Sequence, residues 1–152
     1  MSANSRYAVP SQIDYEALSD LRYALRKFTD FSVSEVIKLG LTPPQHQALL
    51  AIKGLPYGKQ MTAGILADRL LISLQSASEL ITGLIDAGYV NLVPYDKSGK
   101  RHAVELLEKA EVTLRKLGGI HLHEIREMAP ELMHALRMLQ DRGRLEKVAW
   151  LS

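Results

Sequence analysis

Thr62-Ala63-Gly64-Ile65-Leu66-Ala67-Asp68-Arg69-Leu70, then Leu71-Ile72, then Ser73-Leu74-Gln75-Ser76-Ala77-Ser78-Glu79-Leu80-Ile81-Thr82-Gly83-Leu84-Ile85-Asp86-Ala87-Gly88: this stretch decides how the whole chain is read. In its second half Ala77, Leu80, Ile81, Leu84 and Ile85 recur at helical spacing, so they share one side and form core. Ser73 suits the N-cap, and Gly88 suits the residue at which the chain leaves the helix left-handed. The opposite side is left with Gln75, Ser76, Glu79, Thr82, Gly83 and Asp86, with Ser78 at its edge. These side chains are mostly short and polar, as a helix lying in a groove requires. In the first half Thr62 is the expected N-cap, with Ile65, Leu66 and Leu70 facing inward. Two helices with so short a connection have the spacing of a helix-turn-helix, whose second helix enters the DNA major groove.

After Gly88 the period turns from helical to extended. Tyr89 to Val93 and Arg101 to Leu106 flank the turn-rich Pro94-Tyr95-Asp96-Lys97-Ser98-Gly99-Lys100, which reads as a β-hairpin. Lys97, Lys100 and Arg101 sit at its tip, where cations can reach a phosphate or a narrow minor groove. A charged hairpin tip also discourages edge pairing, so the bland reading stands beside the functional one.

The succession Ala67 to Ser78, Leu84 to Val90 and Asp96-Lys97-Ser98-Gly99-Lys100-Arg101, preceded by Leu41-Thr42-Pro43-Pro44-Gln45-His46-Gln47-Ala48-Leu49-Leu50, resembles the multiple-antibiotic-resistance regulator (MarR) family. The order and lengths of elements agree from about Asp14 to Leu139. The resemblance implies a homodimeric transcriptional regulator, more often a repressor, that binds double-stranded DNA at a pseudo-palindromic operator. It also implies release by a small aromatic or anionic effector, as in some members of the family. Residues expected to face DNA are Ser73, Gln75, Ser76, Ser78, Glu79 and Thr82 on the second helix, with Lys97, Lys100 and Arg101 on the wing. Gln75 has the groups to pair with adenine, while Ser76 or Ser78 can bond a base or a phosphate.

Three features depart from the family pattern. Gly99 stands where the wing usually has a second aspartate, so an ion pair orienting Arg101 is expected to be missing. Leu71 stands in the turn where glycine is common, and the turn is therefore expected to avoid a positive φ. From Ser73 to Gly88 there is no Lys or Arg, which leaves open an alternative: a winged-helix module for protein association with weak or no sequence-specific DNA binding.

The 152 residues suit one domain with helical extensions. A net charge of +2 is only mildly basic, so nucleic-acid binding needs its cations clustered. There is no cysteine, hence no disulfide framework and no thiolate metal site. No signal-like or membrane-spanning apolar run occurs, and a soluble cytoplasmic protein without membrane partners is expected.

The expected architecture is mainly α with a small β-hairpin wing: a winged helix-turn-helix flanked by N- and C-terminal dimerisation helices. Residues 1–13 form a flexible arm and 14–40 an N-terminal dimerisation helix, with Leu18, Leu21, Leu25 and Phe28 on one side. The DNA-binding domain spans 41–106, its first helix capped by Thr42 and running to about Lys53. Residues 107–152 form C-terminal dimerisation helices, bent near Gly118-Gly119 and restarted at Pro130. Helices this long beside a small DNA-binding unit need a surface to bury against, and a two-fold dimer supplies one.

No enzyme is expected. Gly54 to Lys59 only superficially resembles a phosphate-binding loop, being a residue short and lacking the following Ser or Thr. No nucleophile elbow, His-Glu-x-x-His pair or dinucleotide loop occurs. His121 and His123, two apart on a helix, point about 200° away from each other, so no metal site or cofactor is assigned. Tyr15, Tyr23, Phe28, Phe31 and Tyr57 read as core or interface.

Overall fold

The computed structural model describes residues 7–151, with side chains as far as Asp141. Its elements run α1 (Gln12–Lys38), α2 (Pro43–Lys53), α3 (Ala63–Leu70), α4 (Leu74–Asp86), β1 (Val90–Pro94), β2 (His102–Leu106) and α5 (Glu108–Leu151). Five helices and a two-stranded antiparallel hairpin make the fold mainly helical with a winged helix-turn-helix, as the sequence pattern predicts. The residues group into two compact units. One takes the first part of α1 through Ser32 and the second part of α5 from His121; the other is Val33–Ile120.

Local chemistry sets the helix ends. α1 starts two residues before the expected Asp14, because Ser11 caps it. The Ser11 amide donates to the Asp14 carboxylate at 2.8 Å, and the Asp14 amide donates back to Ser11 Oγ at 3.3 Å. Thr42 caps α2 in a full capping box with Gln45, and Pro43 occupies the first turn, where its missing N–H is no loss. Thr62 and Ser73 accept from the amides of Ile65 and Ser76 at the starts of α3 and α4.

Three helices end alike. α1 closes with Leu41 N–H donating to Val36 and Gly40 N–H to Ile37. α4 closes with Tyr89 N–H donating to Leu84 and Gly88 N–H to Ile85. Both are Schellman turns with glycine at positive φ, +79° and +80°. In α3 the same pair of bonds runs from Ile72 to Ala67 and from Leu71 to Asp68, and the left-handed residue is Leu71, at φ +56°. The expectation that this turn avoids a positive φ is therefore wrong. The two capping bonds need a left-handed residue there, and the chain supplies it without glycine.

The core of the Val33–Ile120 unit gathers Val36, Leu41, Leu49, Leu66, Ala77, Ile81, Leu84, Val90, Val104 and Leu117, each with little or no exposure. Leu66 is buried and Leu70 half-buried as expected. Ile65 is not inward: it is 41% exposed, and Ala67 takes the buried position instead. The inward stripe of α3 thus runs through 66, 67 and 70, about one residue away from the expected one.

In the other unit Ala17, Ala24, Met128 and Ala135 are buried, with Leu21, Phe28 and Phe31 half-buried. His121 is buried with its ring edge-on to Phe28 at 5.9 Å and to Phe31 at 6.5 Å, while His123 is exposed. Lys27 Nζ lies 3.0 Å from Glu131 and 4.7 Å from the centre of the Tyr23 ring. The Glu131 hydrogen bond holds the Lys27 ammonium above its ordinary pKa. The C-terminal segment is one helix rather than two. α5 passes through Gly118-Gly119 and contains Pro130 within its length. A proline removes only one N–H donor, so a 44-residue helix can carry it at a local cost and need not restart.

Candidate nucleic-acid interface

The polar side of α4 is open to solvent. Ser73, Gln75, Ser76, Ser78, Glu79 and Thr82 are all exposed, whereas Ala77, Ile81 and Leu84 are buried and Leu80 and Ile85 half-buried. Positions 74, 78 and 82 form one row along the helix and 75 and 79 another, since residues four apart stack on one face. Much of this surface is already oriented. Gln75 Nε2 donates to Glu79 Oε1 at 3.2 Å, so one amide hydrogen and the carbonyl oxygen of Gln75 face outward unused. Thr82 Oγ1 donates to the Ser78 carbonyl at 3.0 Å, and Ser73 Oγ donates to Ser76 Oγ at 2.9 Å. Among the described residues the Ser76 and Ser78 hydroxyls donate no hydrogen bond.

The hairpin lies next in the chain. Val90 pairs with Leu106, Leu92 with Val104 and Pro94 with His102 in antiparallel register. Two further main-chain bonds anchor it: Val104 N–H donates to the Met61 carbonyl, and Leu107 N–H to the Tyr89 carbonyl, both at 2.8 Å. The wing is therefore fixed to the segment leading into α3 and to the exit of α4. Its tip is organised by Asp96. Ser98 Oγ donates to one carboxylate oxygen at 2.7 Å, and the Arg101 amide donates to the other at 3.2 Å. The Ser98 hydroxyl, with the Arg101, Gly99 and Lys100 amides behind it, holds the Asp96 carboxyl below the ordinary aspartate range.

Lys97, Lys100 and Arg101 are exposed at this tip. Among the described residues no ion pair involves the Arg101 guanidinium. Gly99 adopts φ +69°, so the position at which the family pattern has an aspartate is here a left-handed turn residue. The single aspartate orients the Arg101 main chain, and its side chain extends without a partner from that wing.

Sequence reading missed two features. Leu74, the first residue of α4, is 60% exposed on the same row as Ser78 and Thr82. The site was chosen by polarity, whereas angular position alone would have included it. Lys109 was also missed. Its Nζ donates to the Ala87 carbonyl at 2.7 Å and sits 4.4 Å from the centre of the Tyr89 ring. A cation thus braces the negative end of α4. The signal was a lysine two residues into α5, indistinguishable in sequence from a solvated charge.

A cavity of about 670 Å³ opens beside the α2–α3 loop, with Leu55, Met61, Ile65, Arg69 and Leu71 among its walls. No group of His, Cys, Asp or Glu suited to a metal ion occurs among the described residues. No described helix is long and apolar enough to cross a membrane.

Residues 39–101 match the model of the MarR family. No curated protein sequence matches the chain. Among solved structures it is similar to a MarR family protein from Bacillus stearothermophilus, with a TM-score of 0.70, 19% identity, and 92% of this chain and 99% of that one covered. It is also similar to AbsC, a MarR family transcriptional regulator from Streptomyces coelicolor, with a TM-score of 0.68, 19% identity, and coverages of 94% and 96%. A variant of MepR from Staphylococcus aureus, bound to an oligodeoxyribonucleotide, gives a TM-score of 0.63 at 13% identity, covering 91% and 98%. Residues 39–101 thus match the MarR family model, and the chain has the fold of the solved MarR family structures to which it is similar.

Proposed function

We propose that this protein is a homodimeric, non-enzymatic transcriptional regulator of the cytoplasm that represses by occupying a pseudo-palindromic DNA site. In this reading 41–106 is the DNA-binding domain, and 14–40 and 107–152 supply the dimerisation helices. The carrying observation is the open, short-side-chained face of α4 beside a wing whose tip bears Lys97, Lys100 and Arg101. Ser73, Gln75, Ser76, Ser78, Glu79 and Thr82 would face the major groove, and the three wing cations would hold phosphate or minor groove. The likeness to a MepR structure that holds an oligodeoxyribonucleotide supports the same use of the fold.

Dimerisation has its own support. On α5 Leu122, Ile125, Met133 and Leu136 are exposed at spacings that keep them on one stripe through Ala129, and on α1 Leu18 and Leu25 are exposed seven residues apart. Apolar rows of this kind are what a partner helix covers. A small aromatic or anionic effector completes the proposal. The cavity falls in the size range of small-molecule sites, and its wall carries one cation, Arg69, for an anionic effector beside one carboxylate, Asp68.

Selection of bound duplexes from a random pool, followed by a salt titration, tests this reading. Six wing cations in a dimer predict a slope of log K against log salt of about −5, and Lys100→Ala with Arg101→Ala should flatten it to about −2. Sedimentation should show a dimer. The absence of Lys and Arg on α4 favours a second reading, a winged helix that docks a protein partner. Failure to enrich any two-fold motif, with the double variant behaving as wild type, would establish that reading instead.

A further inference from the structure

Leu74 is the first helical residue of α4 after its Ser73 cap, and it stands 60% exposed at the head of the row that continues through Ser78 and Thr82. Single exposed leucines are common on protein surfaces. This one lies at the N-terminal end of the helix, the part that meets base edges first in a helix-turn-helix. The major groove offers acceptors on guanine, adenine and thymine, donors on adenine and cytosine, and one apolar group, the C5 methyl of thymine. A leucine neither donates nor accepts a hydrogen bond. Over a G·C pair it would strip water from polar edges and return nothing; over a T·A pair it has a matching surface.

Its neighbour Gln75 suits the same base pair. Gln75, held by Glu79 at 3.2 Å, retains one N–H and its carbonyl oxygen, the pair of groups that match adenine N7 and N6. Thr82 has committed its proton to the Ser78 carbonyl. α4 contains no Arg or Lys, the residues that most often read guanine.

We propose that Leu74 is a specificity-determining residue: it packs on thymine C5 methyl groups in the major groove of each half-site, beside an adenine read by Gln75. This rests on the assignment of α4 to the groove, and it adds the base composition under the helix tip.

The test uses the full-length protein and a duplex recovered by selection. Each thymine of the half-sites is replaced in turn by deoxyuridine, which removes the methyl and leaves every hydrogen bond intact. Binding is followed by fluorescence anisotropy for wild type and Leu74→Ala. Loss of one buried methyl should weaken binding about fourfold, and about 15-fold when both half-sites are changed. Leu74→Ala should bind the thymine and deoxyuridine duplexes equally and keep the wild-type circular dichroism, since the side chain is exposed. Wild-type indifference to deoxyuridine at every position of a specifically bound site overturns the proposal while leaving the groove assignment intact. A deoxyuridine penalty that persists in Leu74→Ala overturns it as well. Failure to recover any two-fold site removes both, and the salt slope of the wing variant then shows that the fault lies with the groove assignment.

Discussion

Replacement of Leu71 by glycine should stabilise this protein. Leu71 closes α3 at φ 56° and ψ 45°, the left-handed region, and it is the one non-glycine residue with positive φ among those described. An L-residue held there costs about 1–2 kcal/mol. Its side chain is 92% exposed, so removing it forfeits little burial. Glycine brings a larger backbone entropy loss of about 0.5–1 kcal/mol, which offsets part of the gain. The balance is a stabilisation of about 0.5–1 kcal/mol, or a rise in Tm of about 1–4 °C for a chain of this length. Urea unfolding followed by circular dichroism measures it, with variant and wild type at equal protein concentration because the proposed dimer would couple assembly to stability. Gly40 and Gly88 provide the mirror experiment. Each occupies the same kind of turn, and no atom lies within 4 Å of the Cβ that alanine would add, so any cost of Gly40→Ala or Gly88→Ala is a backbone cost. Both should lose about 1 kcal/mol. A Leu71→Gly variant less stable than wild type by 0.5 kcal/mol or more would refute the reasoning, because it would mean that the leucine side chain, not the turn, holds α3 and α4 together.

Other outcomes follow from the same structure. Asp96→Ala should loosen the wing tip, read as faster amide exchange at Arg101, whose N–H it anchors. In the wild type this protection is complete above the ordinary aspartate pKa of about 3.9 and lost only as pH falls through the lowered value, because the folded-state carboxyl resists protonation. Lys109→Ala removes the bond to the Ala87 carbonyl and the cation over Tyr89 and should cost about 1 kcal/mol in urea unfolding. Leu18→Glu combined with Leu25→Glu places charge in the exposed α1 row and should yield monomers in sedimentation. A dimer unchanged by that pair would place the interface elsewhere.

Periodicity made the core of α4 and the hairpin strands legible, since Ala77, Ile81 and Leu84 recur at helical spacing and the period changes after Gly88. Caps were legible for a similar reason: Thr42, Thr62 and Ser73 are short hydroxyl residues just before apolar rows. Other features were not, because they depend on competition between local preference and wider packing. Pro130 is a helix starter by local preference, yet the turns on either side of it are helical and carry it through. Leu71 disfavours a left-handed turn, yet the bonds to Ala67 and Asp68 demand one. Polarity picked out the exposed hydroxyls and amides of α4 and passed over Leu74, whose place on the face is set by geometry. Lys109 became visible only when its tip met the Ala87 carbonyl 22 positions earlier in the chain.

The short bond from the Val104 amide to the Met61 carbonyl has a mechanical consequence. It clamps the returning strand to the lead-in of α3, so the hairpin is no free flap. The cationic fingertip is thereby tied through β2 to the segment that leads into α3. Helix and fingertip are then spaced within one protomer, and in the proposed dimer an adjustment of fit would fall on the distance between protomers.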